Sequence, residues 1–196
     1  MSTAAAHVPS LPRRADALRN REAVVRAAAE VFAVKGLDAG IPEIAARAGV
    51  GKATVYRSFP SKEHLVAAVA IERLQWITGV ALAALEDPDA GAAFERVIVA
   101  IAERQAGDHS VAGSMASLVD LPELSAAQAA TQRALEALLA RGRAQGALRP
   151  DATGEDLKVL FTGMAGVLRE RGEREPAVWR RYGVLVADAL RARDAT

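Results

Sequence analysis

Residues 41–65, IPEIAARAGVGKATVYRSFPSKEHL, leave little freedom in how the chain can fold, because they spell two short helices joined by a tight turn. Ile44 and Ala45 open an apolar stripe, Gly49 supplies the turn, and Val55 and Phe59 lie four apart on the buried face of the second helix. Pro42 suits the first position of the leading helix, and Pro60 with Ser61 closes the second helix and caps a third. The pattern is a helix-turn-helix.

Its outward face follows from geometry. At about 100° per residue, Phe59 falls ~40° from Val55, so the buried direction lies near ~20° and the exposed one near ~200°. Ala53, Thr54 and Arg57 fill that exposed side, with Tyr56 and Ser58 flanking it. Such a set suits a DNA major groove: Arg can hold a guanine edge at two points, Thr can donate, accept or touch a methyl, and Ala lets the helix approach closely. Lys52, Tyr56, Ser58 and Lys62 are placed to hold phosphates. The same residues would also serve as the solvated face of an ordinary helical hairpin.

The composition agrees with an all-α protein: 51% hydrophobic, only 4% aromatic, and dominated by Ala, Leu, Val, Arg and Glu. The chain has no Cys, which excludes disulfides, thiolate metal sites and cysteine nucleophiles. Its net charge of +1 hides an asymmetry, for up to His64 ten basic residues face six acidic ones, whereas the remainder carries fifteen basic against eighteen acidic. A nucleic-acid-binding head on a separate regulatory body distributes charge in this way. No run approaches a membrane span of about 18 apolar residues, and the start lacks the features of a signal peptide, so a cytoplasmic protein without a membrane partner is expected.

Residues 1–19 read as a flexible basic arm carrying Arg13 and Arg14, either a solvated tail or an arm on DNA. Asn20 can cap a helix that runs to Lys35, with Val24, Ala28, Val31 and Phe32 on one face and Gly36 just past its end. With the helix-turn-helix it makes a DNA-binding head over residues 20–65. A long helix from Ser61 to about Leu85 then bridges into a body over residues 66–196. Helices are expected there near residues 92–105, 111–118 and 125–142, the last capped by Ser125, for about nine helices in the whole chain. The final two are amphipathic, with Leu157, Leu160, Phe161, Met164 and Leu168 on one and Val178, Tyr182, Leu185, Val186 and Ala189 on the other. Gly163 and Gly166 lie inside the first of these, where each costs about 1 kcal/mol relative to Ala unless a second helix comes close. A helix contact is therefore expected at these glycines, within the chain or between subunits.

Other apparent signals fail. GVGKAT resembles a phosphate-binding loop, but Ala46 and Ala53 stand where that loop needs Gly and Ser or Thr. Asp108, His109 and Ser110 are neighbours whose side chains diverge, so they form no catalytic relay. His7, His64 and His109 lack metal-ligand spacing, and no metal or cofactor is expected. With no convergent nucleophile, base or metal set, an enzyme is not expected. Trp76, Phe94, Met115, Phe161 and Met164 serve either as core or as the lining of an apolar ligand pocket.

Over roughly residues 20–69 the sequence resembles the TetR family of bacterial transcriptional regulators: IPEIAARAGVGKATVYRSFPSKEHLVAAV is similar nearly throughout to that family's IAxxAGVSxxTLYxHFxxKEeLL pattern. The resemblance implies a three-helix DNA-binding head, a helical effector-binding body, and a homodimer formed largely by the last two helices. By matching position, Thr54 and Arg57 would contact bases and Tyr56 and Lys62 phosphates, with Lys52, Ala53 and Ser58 as additions. The dimer would use Leu157, Phe161, Gly163, Met164, Trp179, Tyr182 and Val186. The function expected is a repressor that leaves a palindromic operator in double-stranded DNA when a small molecule binds; the alternative is a regulator of the same fold without an effector, acting as an activator or under a protein partner's control. Two departures stand out. Gly40 and Gly51 replace the Ser or Thr that the family often places at two helix starts, and Arg57 and Ser58 replace its commoner aromatic and His.

Overall fold

A computed structural model describes residues 11–107 and 121–192, with side chains from residue 15 onward. Among these residues it contains eight α-helices and no strand: α1 (Leu11–Lys35), α2 (Ile41–Arg47), α3 (Lys52–Ser58), α4 (Lys62–Ala84), α5 (Ala90–Ala106), α6 (Pro122–Ala144), α7 (Gly154–Glu170) and α8 (Pro176–Ala189). The helix expected at residues 111–118 lies outside the described residues. Two boundaries differ from expectation. Asn20 caps nothing, because α1 already begins at Leu11 and takes in residues 11–19 of the expected arm; Pro12 stands in the first turn, where its missing N–H leaves no bond unmade. Ser125 likewise lies within α6, which starts at Pro122 with Leu121 as its N-cap.

The apolar residues collect into separate cores. In the head, Val24, Ala28, Val31 and Phe32 of α1 meet Ile41, Ile44 and Ala45 of α2, Val55 and Phe59 of the α3 segment, and Leu65, Val66 and Val69 of α4. In the body, Ile77 and Ala81 of α4 join Phe94, Val97, Ile98 and Ile101 of α5, Leu138 and Leu139 of α6, Leu157 of α7 and Val186 of α8. Helix α4 therefore belongs to both cores. Its length and composition would let it cross a membrane, but Glu72 and Arg73 stand near its middle, and Leu65 to Ala70, Ile77 and Ala81 are buried against protein neighbours.

The breaks between body helices are held by specific bonds. Asp89 caps α5 by accepting from the Ala92 amide at 2.9 Å, and Arg141 of α6 donates to the carbonyls of Ala84 and Asp87 where α4 ends. Thr153 and Asp156 form a reciprocal capping box at the start of α7. The Thr153 hydroxyl, followed by its backbone N–H, holds the Asp156 carboxyl below the ordinary Asp range.

Helices α5 and α8 make the tightest approach. A Cβ on Gly183 would lie 2.9 Å from Ala102 Cβ and 3.2 Å from Val99 Cα, so the crossing leaves no space for a side chain. Gly183→Val is expected to destabilise the protein by about 1–3 kcal/mol through overpacking. Urea unfolding checks this; a midpoint equal to wild type would contradict so close a crossing.

Candidate nucleic-acid interface

The geometry of the recognition surface is set by its two flanking caps. After Arg47 the chain turns at Gly49, whose φ is +68°. The Gly49 amide donates to the Ala46 carbonyl at 3.2 Å and the Val50 amide to the Ala45 carbonyl at 3.0 Å, the paired closing bonds of a helix end that needs a left-handed residue. Helix α3 then starts from Gly51 and ends where the Phe59 amide donates to the Val55 carbonyl at 2.8 Å. Neither Gly40 nor Gly51 supplies a side-chain cap. Backbone N–H groups at both helix starts are therefore left to solvent or to an anion.

Val55 and Phe59 are buried, at 0% and 2% exposure, and so pin α3 to the head. Lys52, Ala53, Tyr56 and Arg57 are exposed, while Thr54 and Ser58 are half-buried beside them. Arg57 is steadied by its own helix, its Nη2 donating to Thr54 Oγ1 at 3.3 Å. Lys62 points elsewhere. Its Nζ donates to the Leu37 carbonyl, tying the start of α4 to the turn after α1, so any phosphate must share this ammonium.

The remaining charges of the head brace α2. Arg47 Nε donates to Glu30 Oε2 at 2.6 Å and Lys35 pairs with Glu43, each pair joining α1 to α2. Ser61 sits at the N-cap of α4, yet its hydroxyl meets His64 Nδ1 at 2.9 Å and bonds no backbone amide. A bond from the Ser61 side chain, then the Glu63 backbone N–H, draws the Glu63 carboxyl below its usual range. Reading the sequence for motifs missed Arg21: its Cζ lies 4.7 Å from the centre of the Phe59 ring. The available signal was its position one turn before Val24 and Val25, on the side of α1 that becomes buried.

Comparison with known proteins agrees with this surface. The family model for bacterial regulatory proteins of the tetR family matches residues 24–69. A second, for the C-terminal domain of SbtR-like transcriptional regulators, matches residues 87–192. This chain belongs to the TetR family. Among solved structures, a TetR transcription regulatory protein from Mycobacterium vanbaalenii is 33% identical, covering 92% of this chain and 100% of its own with a TM-score of 0.66. The TetR regulator SCO0520 from Streptomyces coelicolor is 28% identical over 88% of this chain and 98% of its own, with a TM-score of 0.65. A third structure, reported as the molecular basis for control of antibiotic production by bacterial hormones, is 25% identical over 89% of this chain and 99% of its own, with a TM-score of 0.70. No curated protein matches the sequence at a significant level. The chain is thus a DNA-binding transcriptional regulator.

In the body of this TetR-family regulator, the expected pocket residues separate. Phe94 is in the core at 1% exposure, and Trp76, Phe161 and Met164 are half-buried against the same core. The Arg104 guanidinium lies 4.4 Å from the centre of the Trp76 ring. Met115 lies outside the described residues. Two shallow hollows of about 230 and 270 Å³ lie on the head beside Glu30 and Arg47.

The expected dimer residues divide by exposure. Leu157, Trp179 and Val186 are buried in the chain's own cores. Phe161, Met164 and Tyr182 are half-buried and pack on Trp179 and its neighbours. Gly163 alone of the set is exposed. The outward apolar face of these two helices carries Val159, Leu160 and Val167 of α7 and Leu185 of α8 instead.

Proposed function

We propose that this protein is a homodimeric repressor that holds a palindromic operator through α3 of each subunit and releases it when a small molecule binds the body. The head would comprise residues 20–65, entered by the helical turns before it, and the effector-binding and dimerising body residues 66–196. The observation that carries the DNA-binding half is the division of α3 into a buried Val55 and Phe59 and an outward Ala53, Thr54 and Arg57. Arg57 reads a guanine edge at two points, Thr54 steadies it and touches the neighbouring base, and Ala53 permits close approach. Lys52, Tyr56 and Ser58, with Lys62 behind them, hold the backbone.

Dimerisation is supported by Gly163 and Gly166. Among the described residues no atom outside the helix's own nearby backbone lies within 4 Å of a Cβ built on either, so they offer nothing in return for two glycines inside a helix. A second copy laying its own α7 and α8 across this face would bury them with Val159, Leu160, Val167 and Leu185, forming a four-helix bundle about a two-fold axis. Two heads so joined meet half-sites about one helical turn apart. Ligand release is supported by family membership and by the relative reported to act under bacterial hormones. In mechanism it is a population shift, transmitted along α4 because that helix is packed into both cores.

Genome-wide mapping of binding sites would supply the operator. On that operator, Arg57→Ala should lose about 1–3 kcal/mol and relax the preference at one base position. Binding to cognate and scrambled duplexes measures it; an equal loss on both would reduce Arg57 to a phosphate contact. Titrating the operator complex with a metabolite panel tests release, and the absence of any dissociating compound would favour regulation without an effector.

A further inference from the structure

Four cations in or beside the head already have a partner. Arg19 pairs with Asp16, Lys35 with Glu43 and Arg47 with Glu30, while Lys62 donates to the Leu37 carbonyl. Arg21 has no such partner: among the described residues no carboxylate forms an ion pair with it, and its one contact is the Phe59 ring, 4.7 Å from Cζ to centroid. The residue is exposed, whereas Val24, Val25, Ala28 and Phe32, which follow it at helical spacing on α1, are all buried. Arg21 thus stands where the apolar stripe of α1 runs out of the core. A leucine would cover Phe59 there by burial alone. The arginine adds a permanent charge that the fold itself does not neutralise.

Stacking also fixes where that charge points. A guanidinium lying on an aromatic ring commits its flat face to the ring and keeps its N–H donors at the edges. Phe59 directly follows α3 and lies two residues before Ser61, the N-cap of α4. The Arg21 guanidinium is therefore held beside the junction of the recognition helix and α4.

We infer that Arg21 is a DNA-backbone contact, positioned by its stacking on Phe59, so that α1 as well as α3 grips the duplex. The inference rests on the DNA-binding reading above and adds to it a phosphate ligand that the helix-turn-helix pattern does not contain. The contact carries no base preference, so Arg21 contributes alike on every sequence.

The test needs no operator. Binding of the full chain to a scrambled duplex is measured across a range of salt concentrations, alongside thermal unfolding, for wild type, Arg21→Gln and Arg21→Lys. Gln removes the charge but leaves a planar amide for the ring, and Lys keeps the charge. The slope of log K against log salt should become shallower by about 0.9 per engaged head for Arg21→Gln and stay near wild type for Arg21→Lys, with both midpoints within ~2 °C of wild type. An unchanged slope for Arg21→Gln overturns the inference, and a lowered midpoint with an unchanged slope assigns Arg21 to packing alone. A wild-type chain that binds no duplex overturns the DNA-binding reading as well.

Discussion

Trp179→Ala is expected to destabilise the protein by about 3–5 kcal/mol, among the largest losses any single truncation here would give. Trp179 is fully buried and centres a cluster with Ala106, Ala165 and Leu168, edged by Phe161, Met164, Val178 and Tyr182. Its indole Nε1–H donates to the Glu173 carbonyl at 3.0 Å, so the truncation removes a bond as well as leaving a void. Trp179→Phe would keep most of the packing and lose chiefly the hydrogen bond, worth about 1 kcal/mol. Urea unfolding of both variants over a range of protein concentrations measures the effect. The core role predicts a large loss at every concentration. A variant that unfolds like wild type but sediments as a smaller species would return Trp179 to the subunit interface.

The packing of Trp179 marks how far the sequence could be read. An amphipathic stripe states which residues are buried but not against what. Leu157, Trp179 and Val186 follow the helical period as an interface would, and the fold spends them on its own cores. Val159, Leu160, Val167 and Leu185, the residues proposed for a partner, lie exposed beside that stripe on α7 and α8. The recognition region was legible because its determinants are local: Gly49 for a left-handed turn, and Val55 and Phe59 four apart. Cap signals were weaker guides. Asn20 and Ser125 have cap chemistry, but each lies downstream of a proline that stands in its helix's first turn, Pro12 in α1 and Pro122 in α6. The bond from Lys62 to the Leu37 carbonyl spans 25 residues, and no local pattern encodes it. The stacking of Arg21 on Phe59 was hidden for the same reason, although the position of Arg21 at the end of the α1 stripe pointed toward it.

The outward face of α7 and α8 gives the second large expected effect. Val167→Glu combined with Leu185→Glu should convert the proposed dimer to a monomer. Both side chains are about half exposed, at 49% and 52%, so the carboxylates remain in water in the isolated protomer and its stability should change by no more than about 0.5 kcal/mol per site. In the dimer the same carboxylates would be taken from water next to their two-fold mates, where desolvation and like-charge repulsion add. Operator affinity should then fall by about 10²–10⁴, because each head binds its half-site without the effective concentration that the second provides. Binding to a single half-site should hardly change, since α3 and its phosphate contacts are untouched. Analytical ultracentrifugation with operator and half-site titrations separates these outcomes. A double variant that still sediments as a dimer would place the interface elsewhere. A wild-type chain that is monomeric at micromolar concentration would end the homodimer proposal, leaving Gly163 and Gly166 without a partner for their open face.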